Sequence, residues 1–183
     1  MRTSHSHPLR IAALPVPGAP GRIGITFCPG KRQRDAMTGA WDRDLDLDLD
    51  AVRAWGADAV VTLVEDHELR ALRVEGLGEG VRARGMTWFH LPIRDYHTPG
   101  PAFEEAWSEA GPQLGAMLRE GRDVVVHCKG GLGRAGTIAG RLLVEAGCVP
   151  AAAVDAVRAA RPGAIETEDQ RRYVLALQAG ERA

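Results

Sequence analysis

Nowhere do the 183 residues hold a run of roughly 18 apolar positions, and the opening MRTSHSHPLR lacks the apolar centre of a secretory signal. A soluble, cytoplasmic protein without membrane insertion is expected. Cysteine is scarce. Cys28, Cys128 and Cys148 are too few and too widely spaced for a secreted disulfide framework, which points to a reducing compartment with thiol chemistry available. Net charge is nearly absent as well: at −1, no bulk field draws the chain to nucleic acid or to an anionic membrane. No Gly-Lys-Ser or Gly-Lys-Thr follows a glycine-rich turn, which removes the Walker type of nucleotide site.

What is present is ordinary globular composition, 45% hydrophobic with 22 glycines and 11 prolines, at a length that suits one domain. Residues 1–21, rich in His, Pro and small side chains, are expected to be a flexible leader, and residues 22–183 the domain itself. His5 and His7 have no nearby Cys or carboxylate partner, so no metal site is assigned. Apolar runs predict strands at Ile23–Phe27, Ala59–Val64, Thr87–Leu91 and Asp123–Val126, with residues 31–39 as a polar loop. In DRDLDLDLDAVRAWGAD the strict alternation suits an edge strand, but Leu45, Leu49 and Val52 share a helical face and aspartates crowd the first turn, so a helix is preferred. Further helices are expected at 67–74, at 101–120 with a kink or break at Gly111-Pro112, after HCKGGLGR to Ala146, from Pro150, and at 166–178. Strands alternating with helices predict a three-layer α/β/α fold around a mostly parallel sheet, with ligands beyond the carboxyl ends of the strands.

HCKGGLGR falls at that edge. Cys128 follows the most apolar strand, Arg134 opens the next helix, and Gly130, Gly131 and Gly133 let the chain between them curl with its N–H groups inward. Lys129, Gly130, Gly131, Leu132, Gly133 and Arg134 thus form a candidate phosphate-binding loop (P-loop) with a helix N-terminus beneath it. A thiol at its base is surrounded by N–H dipoles and a guanidinium, surroundings that bring cysteine pKa values to roughly 3.5–7.5. The same donors suit the equatorial oxygens of a phosphoryl group, and the guanidinium can hold two of them. Gly131-Leu132-Gly133-Arg134-Ala135-Gly136 also satisfies G-x-G-x-x-G, but it lies late in the chain with no acidic strand end about 20 residues on, so a dinucleotide site is set aside. A leaving alkoxide needs a proton, and Asp95 in PIRDYHTPG is the candidate acid, then base for water; Gln170 is the candidate for orienting that water.

HCKGGLGR carries the Cys-x5-Arg signature and resembles the protein tyrosine phosphatase superfamily. With ITFCPGK, LPIRDYHTPG and AIETEDQ, the chain after its first 21 residues is similar to the compact dual-specificity branch and, within it, to the cyclin-dependent kinase inhibitor 3 (kinase-associated phosphatase) family. The resemblance implies a protein tyrosine phosphatase-like fold and a two-step hydrolysis of phosphomonoesters through a phosphocysteine, with no cofactor or metal. Cys128 would be the nucleophile, Arg134 the phosphate ligand and Asp95 the acid and base, while Gln170 matches a glutamine that helps position water in other tyrosine phosphatases. One departure stands out: Ala135 occupies the place of the Ser or Thr that assists breakdown of the intermediate, and Thr137 lies two residues beyond.

The expected partner is a phosphorylated protein or peptide, handled by a monomer. Lys129, Arg94, His97 and Lys31 would give a positive rim suited to an acidic phosphopeptide or an inositol phosphate. Leu132 stands where the superfamily's lipid phosphatases have a second lysine, which favours phosphotyrosine protein over lipid. Two alternatives stay open: a phosphate-recognition module with little turnover, and a phosphatase for inositol or other small phosphoesters. Cys28 is also a candidate for trapping oxidised Cys128 as a disulfide, against the reading that Cys28 and Cys148 are structural thiols.

Overall fold

The computed structural model describes residues 1–36 and 39–178. In chain order its elements are β1 (Ala12–Pro15), β2 (Arg22–Phe27), β3 (Arg32–Gln33), β4 (Trp41–Asp42), α1 (Leu45–Trp55), β5 (Ala57–Thr62), α2 (Asp66–Ala71), α3 (Leu77–Ala83), β6 (Thr87–His90), α4 (Pro101–Arg119), β7 (Asp123–Cys128), α5 (Gly133–Glu145), α6 (Pro150–Ala160) and α7 (Glu168–Ala176). Five strands form one sheet in the order β1-β2-β7-β5-β6, parallel except for β1. β7, the most apolar stretch, takes the centre and is buried at every position. Its valines divide between two layers: Val124 and Val126 enter the core under α4–α7, Val125 the core under α1–α3. The three-layer α/β/α expectation holds, with a mixed but mostly parallel sheet. Among the described residues no helix is long and apolar enough to cross a membrane.

The ambiguous aspartate-rich stretch is a helix. Asp44 accepts the Leu47 N–H at 2.9 Å as its N-cap, Gly56 closes it at φ 109°, and Leu49 and Val52 are buried. Pro112 does not divide α4, which runs unbroken through it. α3 had no counterpart among the expected helices, because Gly78 and Gly80 each cost about 1 kcal/mol of helix propensity. Burial of Leu77 and Val81, worth roughly 1.5–3 kcal/mol each, outweighs that. Gly78 is moreover required there, since a Cβ would lie 2.5 Å from the Trp88 ring. The expected loop at 31–39 contains β3, which pairs with β4 in a separate two-stranded sheet; residues 37 and 38 lie outside the described residues.

The expectation of a flexible leader at residues 1–21 is corrected. β1 pairs with β2, Leu14 and Val16 are buried in the larger core, and Leu9 and Ile11 pack on the smaller one. Arg2 joins β4 through its own N–H and carbonyl. Histidine and proline masked the four apolar side chains. Arg43 completes the anchorage: wholly buried, it donates to both Asp48 oxygens at 2.7 and 2.8 Å and to the carbonyls of His7 and Thr3.

Candidate active site

β7 ends on Cys128 and α5 begins on Gly133, so residues 129–132 must turn within a few ångströms of the sheet's carboxyl edge. Gly131 makes this possible. Its φ of +71° is open to glycine, and a Cβ there would lie 2.5 Å from the backbone of β2. The loop's carbonyls are tied outward: Lys129 O accepts from Lys31 Nζ at 3.2 Å, Gly131 O from Arg161 Nε at 3.1 Å, and Leu132 O from the Ile165 N–H at 3.3 Å. Because each peptide is planar and trans, a carbonyl turned out leaves the following N–H turned in. The N–H of Gly131 itself points at the Cys128 sulfur, at 3.2 Å, and stabilises negative charge there.

Arg134 is 1% exposed and held from behind. Glu68 receives both of its Nη atoms, at 2.6 and 2.9 Å, and Ile93 O receives Nη1 at 2.9 Å. Burial pushes the Glu68 carboxyl up, but the bonds from Arg134 and from the Glu65 N–H outweigh it and hold the group below the usual carboxylate range. Asp95 Oδ1 lies 2.9 Å from Nη2 with its side chain 42% exposed, which puts the candidate acid at the mouth of the loop. The Arg134 Nε–H has no hydrogen-bond partner among the described residues. A buried cationic donor without an acceptor is a place for an anion.

Behind the sulfur, Trp88 Nε1 donates to Thr62 Oγ1 at 2.8 Å, and that oxygen lies 2.8 Å from His127 Nε2. The indole can only donate, so Thr62 Oγ1 accepts from it, and the hydroxyl still has a proton and a second lone pair with which to pair with either tautomer of His127. Burial pushes the His127 pKa down to about 3, the Cys128 backbone opposes this, and the charge of Arg134 adds to it, so the ring is neutral. Lys31, expected on the rim, lies beneath the loop at 5% exposure, with its ammonium over the Phe27 and Trp41 rings. Burial brings it down to about 8.

Gln170 is fully buried. Its Oε1 accepts the Thr167 N–H at 3.2 Å in a capping box, and its Nε2 donates to His97 O at 3.3 Å, so it fastens the Asp95 loop to α7. The Gly133 N–H donates to Glu166 Oε2 at 2.9 Å, so a carboxylate already engages one expected phosphate donor. Thr137 does not replace the missing hydroxyl beside Ala135, because its Oγ1 is bonded back to Gly133 O at 2.8 Å. Arg94 and His97 are exposed beside Asp95. Cys28 belongs to the opposite core from Cys128, and burial pushes its thiol up, which favours a structural thiol over a redox trap. Cys148 lies past the far end of α5, about 20 Å along a helix of that length.

Glu68, Glu166 and the Thr62–Trp88 pair were not found from sequence. Only Glu68 left a trace, as the fourth residue of EDHE, where it closes a capping box with Glu65.

The sheet, the loop and the Cys-x5-Arg spacing together define a hydrolase of the protein tyrosine phosphatase type. A family model described as "Polymorphic toxin system, DSP-PTPase phosphatase" matches residues 39–148. Cyclin-dependent kinase inhibitor 3 of Mus musculus is 30% identical over 154 residues, covering 83% of this chain and 69% of the relative; the Homo sapiens protein is 29% identical over 155 residues with the same coverage. The crystal structure of kinase associated phosphatase with its catalytic cysteine changed to serine superposes with a TM-score of 0.79 at 26% identity, covering 92% of this chain and 93% of that one. Tk-PTP in its active form gives 0.62 at 33% identity, covering 86% and 94%. The chain therefore belongs to the protein tyrosine phosphatase superfamily, in the DSP-PTPase family that the model describes, and is related to cyclin-dependent kinase inhibitor 3.

Proposed function

We propose that this chain is a cysteine-dependent phosphomonoester hydrolase of the protein-tyrosine or dual-specificity kind, acting through a phosphocysteine on phosphorylated protein or peptide. The observation that carries the reading is the unpartnered Nε–H of the buried Arg134 beside the Cys128 sulfur loop. In the first step the sulfur of Cys128 attacks phosphorus, the bond to the substrate oxygen breaks, and Asp95 gives that oxygen its proton. Arg134 and the inward N–H groups of the loop hold the equatorial oxygens, with the phosphoryl group taking the Nη2 donor that Asp95 now occupies and the Gly133 N–H available to it only on release from Glu166. In the second step water attacks phosphorus, the sulfur leaves, and Asp95 takes the water's proton.

Both ends of the Gln170 amide are engaged, so its part is to hold the acid loop in register; orienting water directly requires it to release His97. Three free cysteines, with the nucleophile among them, support work in a reducing compartment such as the cytoplasm. A recognition module needs neither thiol nor acid, although Ala135 favours slow release of the intermediate. The test is turnover of p-nitrophenyl phosphate and of phosphotyrosine and phosphothreonine peptides, in chelator, by wild type, C128S and D95N. Expected are loss of turnover in C128S and about a 10²-fold reduction in D95N. Binding of phosphopeptide without turnover by wild type would replace the enzyme with a recognition module.

A further inference from the structure

A groove of about 530 Å³ opens beside the phosphate loop, between the β3–β4 hairpin and the end of α2. Lys129, the residue after the nucleophile, lines it together with Arg32, Arg34 and Arg73. Two carboxylates, Asp35 and Asp42, also line it, and Arg32 lies 3.5 Å from Asp42. Among the described residues Arg34 and Arg73 form no salt bridge, and the Lys129 charge acts on Glu68 without one. In a chain of net charge −1 this excess of cations is local. The hairpin that carries it is held in place, since the Arg32 N–H donates to Leu72 O at 3.0 Å and Arg2 is bonded to β4.

We propose that this groove takes the acidic residues flanking the phosphorylated side chain of a peptide substrate, so that the enzyme prefers acidic phosphopeptides. The inference rests on the phosphatase reading of the adjoining loop. Three features fit that occupant. Lys129 belongs both to the groove and to the phosphate loop, the groove has room for several side chains rather than one anion, and its four cations outnumber its two carboxylates. A long-range charge pattern of this kind favours encounter with an anionic chain and discriminates against a basic one.

The experiment compares phosphopeptides identical except for acidic or alanine residues on both sides of the phosphorylated position, with p-nitrophenyl phosphate as the flank-free control. Wild type, Arg34→Glu, Arg73→Glu and the double variant are assayed at low and high salt. Expected is a kcat/KM about fivefold or more higher for the acidic peptide, falling with salt and abolished in the double variant, with turnover of p-nitrophenyl phosphate unchanged. Equal rates on the two peptides in wild type, or a double variant that loses turnover of p-nitrophenyl phosphate in step, would overturn the proposal. Preference for an inositol polyphosphate over the acidic peptide would overturn the choice of a peptide occupant. Should wild type not turn over p-nitrophenyl phosphate, the phosphatase reading fails by itself. Anisotropy of the labelled peptides on C128S then decides the groove: tighter binding of the acidic one, lost on charge reversal, supports it, and equal binding refutes it.

Discussion

Among the described residues two arginines are fully buried against a carboxylate, Arg43 with Asp48 and Arg134 with Glu68, and they differ in what is left over. Arg43 places Nε and Nη2 on Asp48 and Nη1 on two carbonyls, and no donor nitrogen remains without an acceptor. Arg134 uses its Nη atoms on Glu68, Ile93 O and Asp95, while Nε has nothing. The first pair closes a structure: it ties the residues before β1 to the start of α1. The second is held equally firmly but left incomplete at one donor, in a guanidinium whose charge acts on Cys128. Burial of an unsatisfied cationic donor costs several kcal/mol in general, and such a site persists where a ligand completes it.

The largest test of this contrast is to exchange the fates of the two residues. Arg134→Lys keeps the charge but loses the fork, and kcat/KM on p-nitrophenyl phosphate should fall by about 10³-fold or more. Arg43→Met leaves Asp48 buried without its cation, so urea denaturation should show a loss of about 3–5 kcal/mol while turnover per folded molecule stays near wild type. Equal effects of the two variants on turnover would erase the distinction.

Glu68→Gln attacks the support behind Arg134. A guanidinium displaced by a fraction of an ångström should lower kcat/KM by up to about 10²-fold without abolishing it. The same variant carries a pH signature. Glu68 in the folded protein titrates below its ordinary value of 4.5, so the stability it contributes is fully present above that pH and is lost as pH falls through the lower folded value. Wild type should lose that increment in acid denaturation below about pH 4.5, and Glu68→Gln should lack it.

The smallest effect concerns Lys31, which lies between the two regions, under the loop carbonyl of Lys129 and close enough to Arg43 for that charge to lower its pKa. It titrates near 8, so above that pH the loop loses a cation and wild-type turnover should decline severalfold. Lys31→Met should be less active below pH 8 and show no such decline. A decline that survives unchanged in Lys31→Met would assign it to another group.

The chemistry was legible in the sequence where it is local. Cys128, the glycines and Arg134 occupy one strand-turn-helix junction, and the pattern needs nothing from elsewhere. Its supports were not, because they come from distant parts of the chain: Glu68 is 66 residues from Arg134 and Glu166 is 33 from Gly133. Lys31 was read as a rim cation because sequence carries no sign of whether a lysine's amine reaches solvent or lies over two aromatic rings. β1 was hidden by its shortness and by Pro15 within it, and α3 by glycines whose cost is met by packing against Trp88 and the smaller core. Gln170 was found by motif, yet its burial and capping bonds give it a task in fixing the Asp95 loop that no motif states.

The most direct measurement is rapid-quench mass spectrometry of the wild-type enzyme mixed with a phosphotyrosine peptide. A phosphoryl adduct on Cys128, formed faster than steady-state turnover and absent in C128S, is the predicted result, with the adduct accumulating because Ala135 supplies no hydroxyl for its breakdown. Turnover with no adduct at any time, and unaffected by C128S, would contradict the account.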